Sequence, residues 1–178
     1  MVNAFVSLGS NVERERHISA ALAELEQRFG KLSVSSVYES EAEGFEGPPF
    51  YNLVVGFETD LSALQVLEQL KAIERHHGRG PESRKFASRT LDLDLILYGD
   101  FVLEDPSSGQ RLVPREDVLR YAFVLEPLAE IAPNLRHPIL GETYLVLWRR
   151  FDPRRIRQKR LPLEIIGYGH RPPPKSDQ

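Results

Sequence analysis

Between residues 91 and 98 the chain reads Leu-Asp-Leu-Asp-Leu-Ile-Leu-Tyr, and this alternation leaves the segment few choices. A period of two belongs to a β-strand, on which neighbouring side chains point to opposite faces. Leu91, Leu93, Leu95 and Leu97 are therefore expected on one face, with Asp92 and Asp94 on the other. The leucine face needs an apolar cover. The strand is otherwise apolar on both sides, which predicts a place inside a sheet rather than at its margin.

The remaining segments supply the sheet and the cover. Residues 2–8 alternate as a strand that Gly9-Ser10-Asn11 should end. Residues 12–29 carry Ile18, Leu22, Leu25 and Phe29 at helical spacing, with Asn11 as the expected N-cap and Gly30 as the stop. Residues 32–38 and 50–57 read as strands, separated by a glycine- and proline-rich loop at 40–49. A second helix over 61–76 should turn Leu64, Leu67, Leu70 and Ile73 to the core, capped by Asp60 or Ser62. Strand–helix–strand–strand–helix–strand is the order of an α+β, ferredoxin-like βαββαβ sandwich, a mainly antiparallel sheet with its helices on one face. Downstream, residues 101–103 and 111–113 predict a hairpin, followed by short helices over 124–131 and 144–151, the first interrupted by Pro127. One domain is expected over residues 1–160. A tail over 161–178 should follow, its Arg-Pro-Pro-Pro-Lys-Ser-Asp-Gln end disordered.

Composition narrows the chemistry. The chain contains no cysteine, so thiol nucleophiles, iron–sulfur clusters and thiolate zinc sites are excluded. The net charge of −3 argues against a general nucleic-acid binder. No apolar run reaches the ~20 residues that span a bilayer. A cytoplasmic monomer without membrane or nucleic-acid partners is expected.

Asp92 and Asp94 are the first candidates for function. Carboxylates at i and i+2 on a strand lie roughly 6.5–7 Å apart at Cα and can converge on hard cations. Magnesium suits such a pair, because it takes few carboxylates and completes its shell with substrate phosphates. A solvated strand face is the plain structural alternative. Against it, Arg79, Arg84, Lys85 and Arg89 crowd the segment just upstream, and acids for metal beside bases for phosphate make a nucleotide-phosphate site. Gly78, Gly80 and Pro81 would let that basic segment, residues 78–88, close as a mobile lid. Phe50 and Asn52 share a strand face and could stack on and hydrogen-bond a flat heterocycle. His76 and His77 diverge on their helix and make no metal site. The basic run over 149–160 reads as a solvated helix end.

Four segments in order, Ser7-Leu8-Gly9-Ser10-Asn11, Tyr51-Asn52, Arg89-Thr90-Leu91-Asp92-Leu93-Asp94 and the stretch from Phe123 to Pro133, resemble the 6-hydroxymethyl-7,8-dihydropterin pyrophosphokinase family of folate biosynthesis. The resemblance covers about residues 2–135. It implies a ferredoxin-like fold and transfer of pyrophosphate from ATP to the hydroxymethyl group of the reduced pterin, with release of AMP. It further implies two Mg2+ ions on Asp92 and Asp94, and phosphate contacts from Arg79 and Arg89. Nucleotide contacts fall at Glu74, Leu95 and Arg111, and a pterin site at Ser40, Phe50, Asn52, Phe86 and Phe123. The chain departs from the family pattern at residues 40–44, at Phe86 for a tryptophan, at Arg115 for a histidine and at Tyr121 for an arginine. Two other readings stay open: a divergent relative that binds pterin or nucleotide without transfer, and an RNA-binding sheet using the basic run.

Overall fold

The computed structural model describes residues 1–42, 46–78 and 90–168. Strand β1 (Val2–Ser10) leads to helix α1 (Arg14–Phe29), the short strands β2 (Ser33–Val34) and β3 (Val37–Ser40), and the long strand β4 (Phe50–Thr59). Helix α2 (Ala63–His76) and strand β5 (Asp92–Tyr98) complete the expected order. The main sheet runs β5–β1–β4–β3, every neighbour antiparallel, and β2 also pairs with β4. This is the ferredoxin-like sandwich.

Its first face carries the larger core. Ala4, Val6 and Leu8 of β1, Leu53 and Val55 of β4, and Leu91, Leu93 and Leu95 pack against Ile18, Leu22 and Leu25 of α1 and Val66, Leu70 and Ile73 of α2. Ser62 caps α2 in a reciprocal capping box with Gln65. Leu64 is 56% exposed, contrary to expectation, while Ala63 and Val66 are buried. The expected set stepped by three at each position. Each such step turns the helix back by about 60°, so over nine residues Leu64 ends opposite Ile73.

Other local expectations also fail for identifiable reasons. β1 does not end at Leu8: Gly9 pairs with both Asn52 and Asp92, which keeps the strand extended through Ser10. Asn11 is then too early to cap α1 and donates instead to the Pro48 carbonyl. The helix starts behind Glu13, a left-handed residue at φ 42°. Along β5 the register to β1 shifts between Val6 and Phe5, where Leu95 and Leu97 face consecutive partners. That bulge turns Leu97 to the second face, where it packs with Ile96 and Val54. β5 is also an edge strand rather than an internal one.

The remaining chain adds the hairpin and helical extension to this sandwich. Strands β6 (Leu103–Glu104) and β7 (Arg111–Val113) form the expected hairpin. Helices α3 (Asp117–Arg120), α4 (Ala122–Ile131) and α5 (Tyr144–Arg149) follow, and Pro127 lies inside α4 without breaking it. Val124, Leu125 and Leu128 of α4 and the buried Tyr144 cover part of the second sheet face. Residues 158–161, expected within a solvated basic segment, form strand β8 (Gln158–Leu161) along β3. Exposed Lys159 and Arg160 are typical guards of a sheet edge. The tail boundary expected after residue 160 thus falls inside a strand, and Ile166 beyond it is 4% exposed in the first core. Seven basic side chains masked the strand signal. No helix among the described residues is long and apolar enough to cross a membrane.

Candidate active site

Strand register places the site on the part of the second face that α4 and α5 leave open. Paired residues share a face, so one row crosses the sheet as Asp92–Gly9–Asn52–Tyr38–Arg160, with Asp94–Ser7–Val54 beside it. Asp92 and Asn52 are separated by one strand, about 10 Å at the usual strand spacing. Gly9 is the floor between them. A Cβ there would stand 3.1 Å from Asn52 Oδ1 and 3.8 Å from the Phe50 ring, so only glycine keeps this floor open.

At the β5 end, Asp94 meets a cation noted in the sequence only as a departure. Arg115 Nη2 lies 3.7 Å from Asp94 Oδ1, and its Nε lies 3.2 Å from Asp117 Oδ2. Its own N–H donates to the Ile96 carbonyl, which fixes the segment after β7 against the bulge. Glu74 Oε2, from α2 below, accepts the Leu93 N–H at 3.1 Å. Burial pushes the Asp94 carboxyl up to about 7, with Asp92 as the next cause and Arg115 pulling the other way. Among the described residues no set of three or more His, Asp or Glu side chains converges in metal-binding geometry. A cation on this pair would therefore complete its shell with water or substrate oxygens.

The raised Asp94 carboxyl has a measurable consequence. An unfolded aspartate titrates at about 4, whereas the folded one titrates at about 7. Between these limits the folded state holds the extra proton, so this stability contribution is complete below the lower value and lost as pH rises through the upper one. Without metal, the melting temperature of wild type minus that of Asp94→Asn should fall steadily as pH rises from about 4 to 8. A difference that stays flat would show that Asp94 titrates as an ordinary surface acid.

At the other end, Asn52 Nδ2 donates to Ser40 Oγ at 2.7 Å, and both residues are 7% exposed. This bond fixes the amide and leaves Asn52 Oδ1 over Gly9. Phe50 shares that face at the end of β4, paired with Ser40. Phe123, half-buried at the start of α4, stacks on Tyr121 with ring centroids 5.0 Å apart. A cavity of about 500 Å3 opens here, lined by Ser40, Glu41, Tyr121 and Phe123 and by arginines.

Not every expected site residue joins this face. The Leu95 side chain is 3% exposed in the first core, so only its backbone could meet a ligand. Arg111 lies on β7, its Nε donating to the Pro114 carbonyl. Arg79, Phe86 and Arg89, and the lid expected over 78–88 apart from Gly78, lie outside the described residues. His17, which carried no expectation, meets His77 with the two Nδ1 atoms 2.6 Å apart, a geometry that needs one shared proton. Arg115 and Asp117 gave no periodic signal, because they lie just before and at the start of the single-turn helix α3, which only tertiary packing brings to the sheet.

A ferredoxin-like sandwich whose open face sets an acidic pair beside a carboxamide and aromatic rings has the make-up of a phosphoryl-type transferase acting on a flat polar acceptor. The sequence profile of the 7,8-dihydro-6-hydroxymethylpterin-pyrophosphokinase (HPPK) family matches residues 5–133, and the chain belongs to this family. It is 37% identical over 143 residues to the 2-amino-4-hydroxy-6-hydroxymethyldihydropteridine pyrophosphokinase of Haemophilus influenzae, covering 78% of this chain and 86% of that one. Its identity to the Pseudomonas aeruginosa enzyme of the same name is 40% over 138 residues, covering 75% and 83%. Among solved structures, a Plasmodium falciparum HPPK-DHPS chain superposes with a TM-score of 0.69 at 16% identity, a likeness of fold. The superposition covers 90% of this chain and 47% of that longer one.

Proposed function

We propose that the open face of the sheet runs pyrophosphate transfer from ATP to the hydroxymethyl group of 6-hydroxymethyl-7,8-dihydropterin, the folate-pathway reaction that membership of the pyrophosphokinase family assigns to this chain. Asp92 and Asp94 would hold two magnesium ions, which would supply charge neutralisation of the ATP phosphates. The acceptor oxygen forms a bond to the β-phosphorus while the bond from that phosphorus to the α–β bridging oxygen breaks. AMP leaves with that oxygen. This chain's own side chains supply position and charge rather than covalent help. Arg79 and Arg89 take phosphate oxygens, while Glu74, the backbone of Leu95 and Arg111 border the nucleotide. Phe50, Phe86 and Phe123 enclose the pterin ring, with Asn52 on its edge and Ser40 holding the Asn52 amide.

The observation that carries this reading is the row Asp92–Gly9–Asn52. It sets the Asp92 carboxylate and the Asn52 amide about 10 Å apart on one face, with Gly9 between them. A hydroxymethyl group projecting from a ring held at Asn52 points along that row to the phosphates. Product analysis decides the matter. One AMP should form per pterin diphosphate, and only when the reduced pterin is present. Stoichiometric ADP would overturn the assignment, and retained binding with no AMP would identify a non-catalytic relative.

A further inference from the structure

The acceptor end of β4 is held from behind, by a side chain on the other face of the sheet. Residues 48 and 49 are both proline and lead straight into Phe50, the first residue of β4. Proline has no N–H, so this step can be fixed to its surroundings by backbone hydrogen bonds only through its carbonyls. Both carbonyls are taken. Asn11 Nδ2, just before α1, donates to the Pro48 carbonyl at 3.1 Å, and Arg14 Nη1, at the start of α1, donates to the Pro49 carbonyl at 2.9 Å. Arg14 makes two further contacts. Its Nη2 lies 2.9 Å from Glu39 Oε2, and its guanidinium carbon stands 3.7 Å from the centre of the Tyr51 ring. Glu39 and Tyr51 are partners across β3 and β4, and Tyr51 is buried in the first core. One side chain thus joins α1, β3, β4 and the proline lead-in.

We infer that Arg14 is a positioning residue for the acceptor ring and acts through Phe50. The inference rests on the acceptor reading above and deepens it. Neighbours on a strand point to opposite faces, so the guanidinium on Tyr51 fixes the end of β4 from the helix side while Phe50 projects to the site side. There the Phe50 ring comes within 3.8 Å of the point where a Gly9 Cβ would stand, on the floor beside Asn52. A ring held in one place stacks on a flat ligand without first giving up its freedom, which favours binding. The forked guanidinium suits the task, with one N–H for the carbonyl, another for the carboxylate and a flat face for the Tyr51 ring. An ammonium group could meet only part of this set. Arg14 stays on the opposite face from the Asp92–Gly9–Asn52 row, so it works on acceptor binding and not on the transfer step.

Titration calorimetry on the full chain with magnesium tests this, using 6-hydroxymethylpterin and α,β-methylene-ATP, an analogue that cannot release AMP. Arg14→Leu should weaken the pterin about fivefold to tenfold while changing the nucleotide analogue less than about twofold. Arg14→Lys keeps a cation and one donor at a time, so its loss should fall between, and it provides the same comparison should Arg14→Leu not fold. Phe50→Ala supplies the second arm. Because Arg14 acts through that ring, Arg14→Leu should add less than about twofold to the loss that Phe50→Ala causes alone. Equal losses for both ligands, full additivity with Phe50→Ala, or an unchanged pterin affinity would each overturn the inference and make Arg14 a brace for the fold. All three leave the transfer reading intact, since wild-type AMP release is measured separately. Failure of the wild-type protein to bind the pterin would overturn both.

Discussion

Asp94→Asn, and equally Asp92→Asn, should lower turnover by roughly 10²–10³ each, a loss of ~3–4 kcal/mol of transition-state stabilisation. The amide has nearly the shape of the acid, so Leu93 and Leu95 beneath it keep their packing. Arg115 loses one partner but retains Asp117 at 3.2 Å, so no buried cation is stranded. What disappears is fixed negative charge where the proposed magnesium ions would offset the oxygens of ATP. Removing one member of a repelling pair also relieves the folded state. Steady-state turnover measured together with metal-free melting should therefore show slow variants that melt no lower than wild type. Wild-type turnover in either variant would reduce the pair to a solvated strand face.

The second large effect is expected at Asn52. Leucine has the same branching and nearly the same size, so Asn52→Leu should fold. It removes the donor to Ser40 and the oxygen over Gly9 together. A polar ring edge bound against leucine would be left unpaired, at ~1.5–3 kcal/mol, or roughly 10–150-fold in kcat/KM for the pterin. ATP affinity should hardly move, because the proposed nucleotide position lies across Gly9 on the β5 side. Matching losses for both substrates would mean that Asn52 supports the sheet rather than the acceptor.

Much of this arrangement was legible in the chain. Period-two and helical segments sufficed for the βαββαβ order, and the Leu-Asp alternation separated acids from core along the first part of β5. Leu97 shows where such reading stops. A bulge is a property of two strands, so nothing within residues 91–98 announces that the parity changes at Ile96. Leu64 shows a second limit, since spacing by three looks helical over short spans and drifts off the face over long ones. Strand β8 was hidden for another reason: edge strands carry charge on purpose, and Lys159 and Arg160 look like solvent until a partner strand is known. Arg115 could be noted as unusual from the sequence, but its position between Asp94 and Asp117 depends on the turn after β7.

Strand β8 also bears on what counts as a complete molecule here. The family-matched stretch ends at residue 133, yet β3 finds its outer neighbour only at residues 158–161. A chain cut after residue 133 would leave a bare row of amides and carbonyls along β3 and would remove Ile166 from the first core. Unpaired edges of this kind recruit strands from other molecules. For this protein the stretch that matches the family and the stretch that closes the sheet are different lengths, and a version cut at residue 133 would expose an edge that β8 now covers.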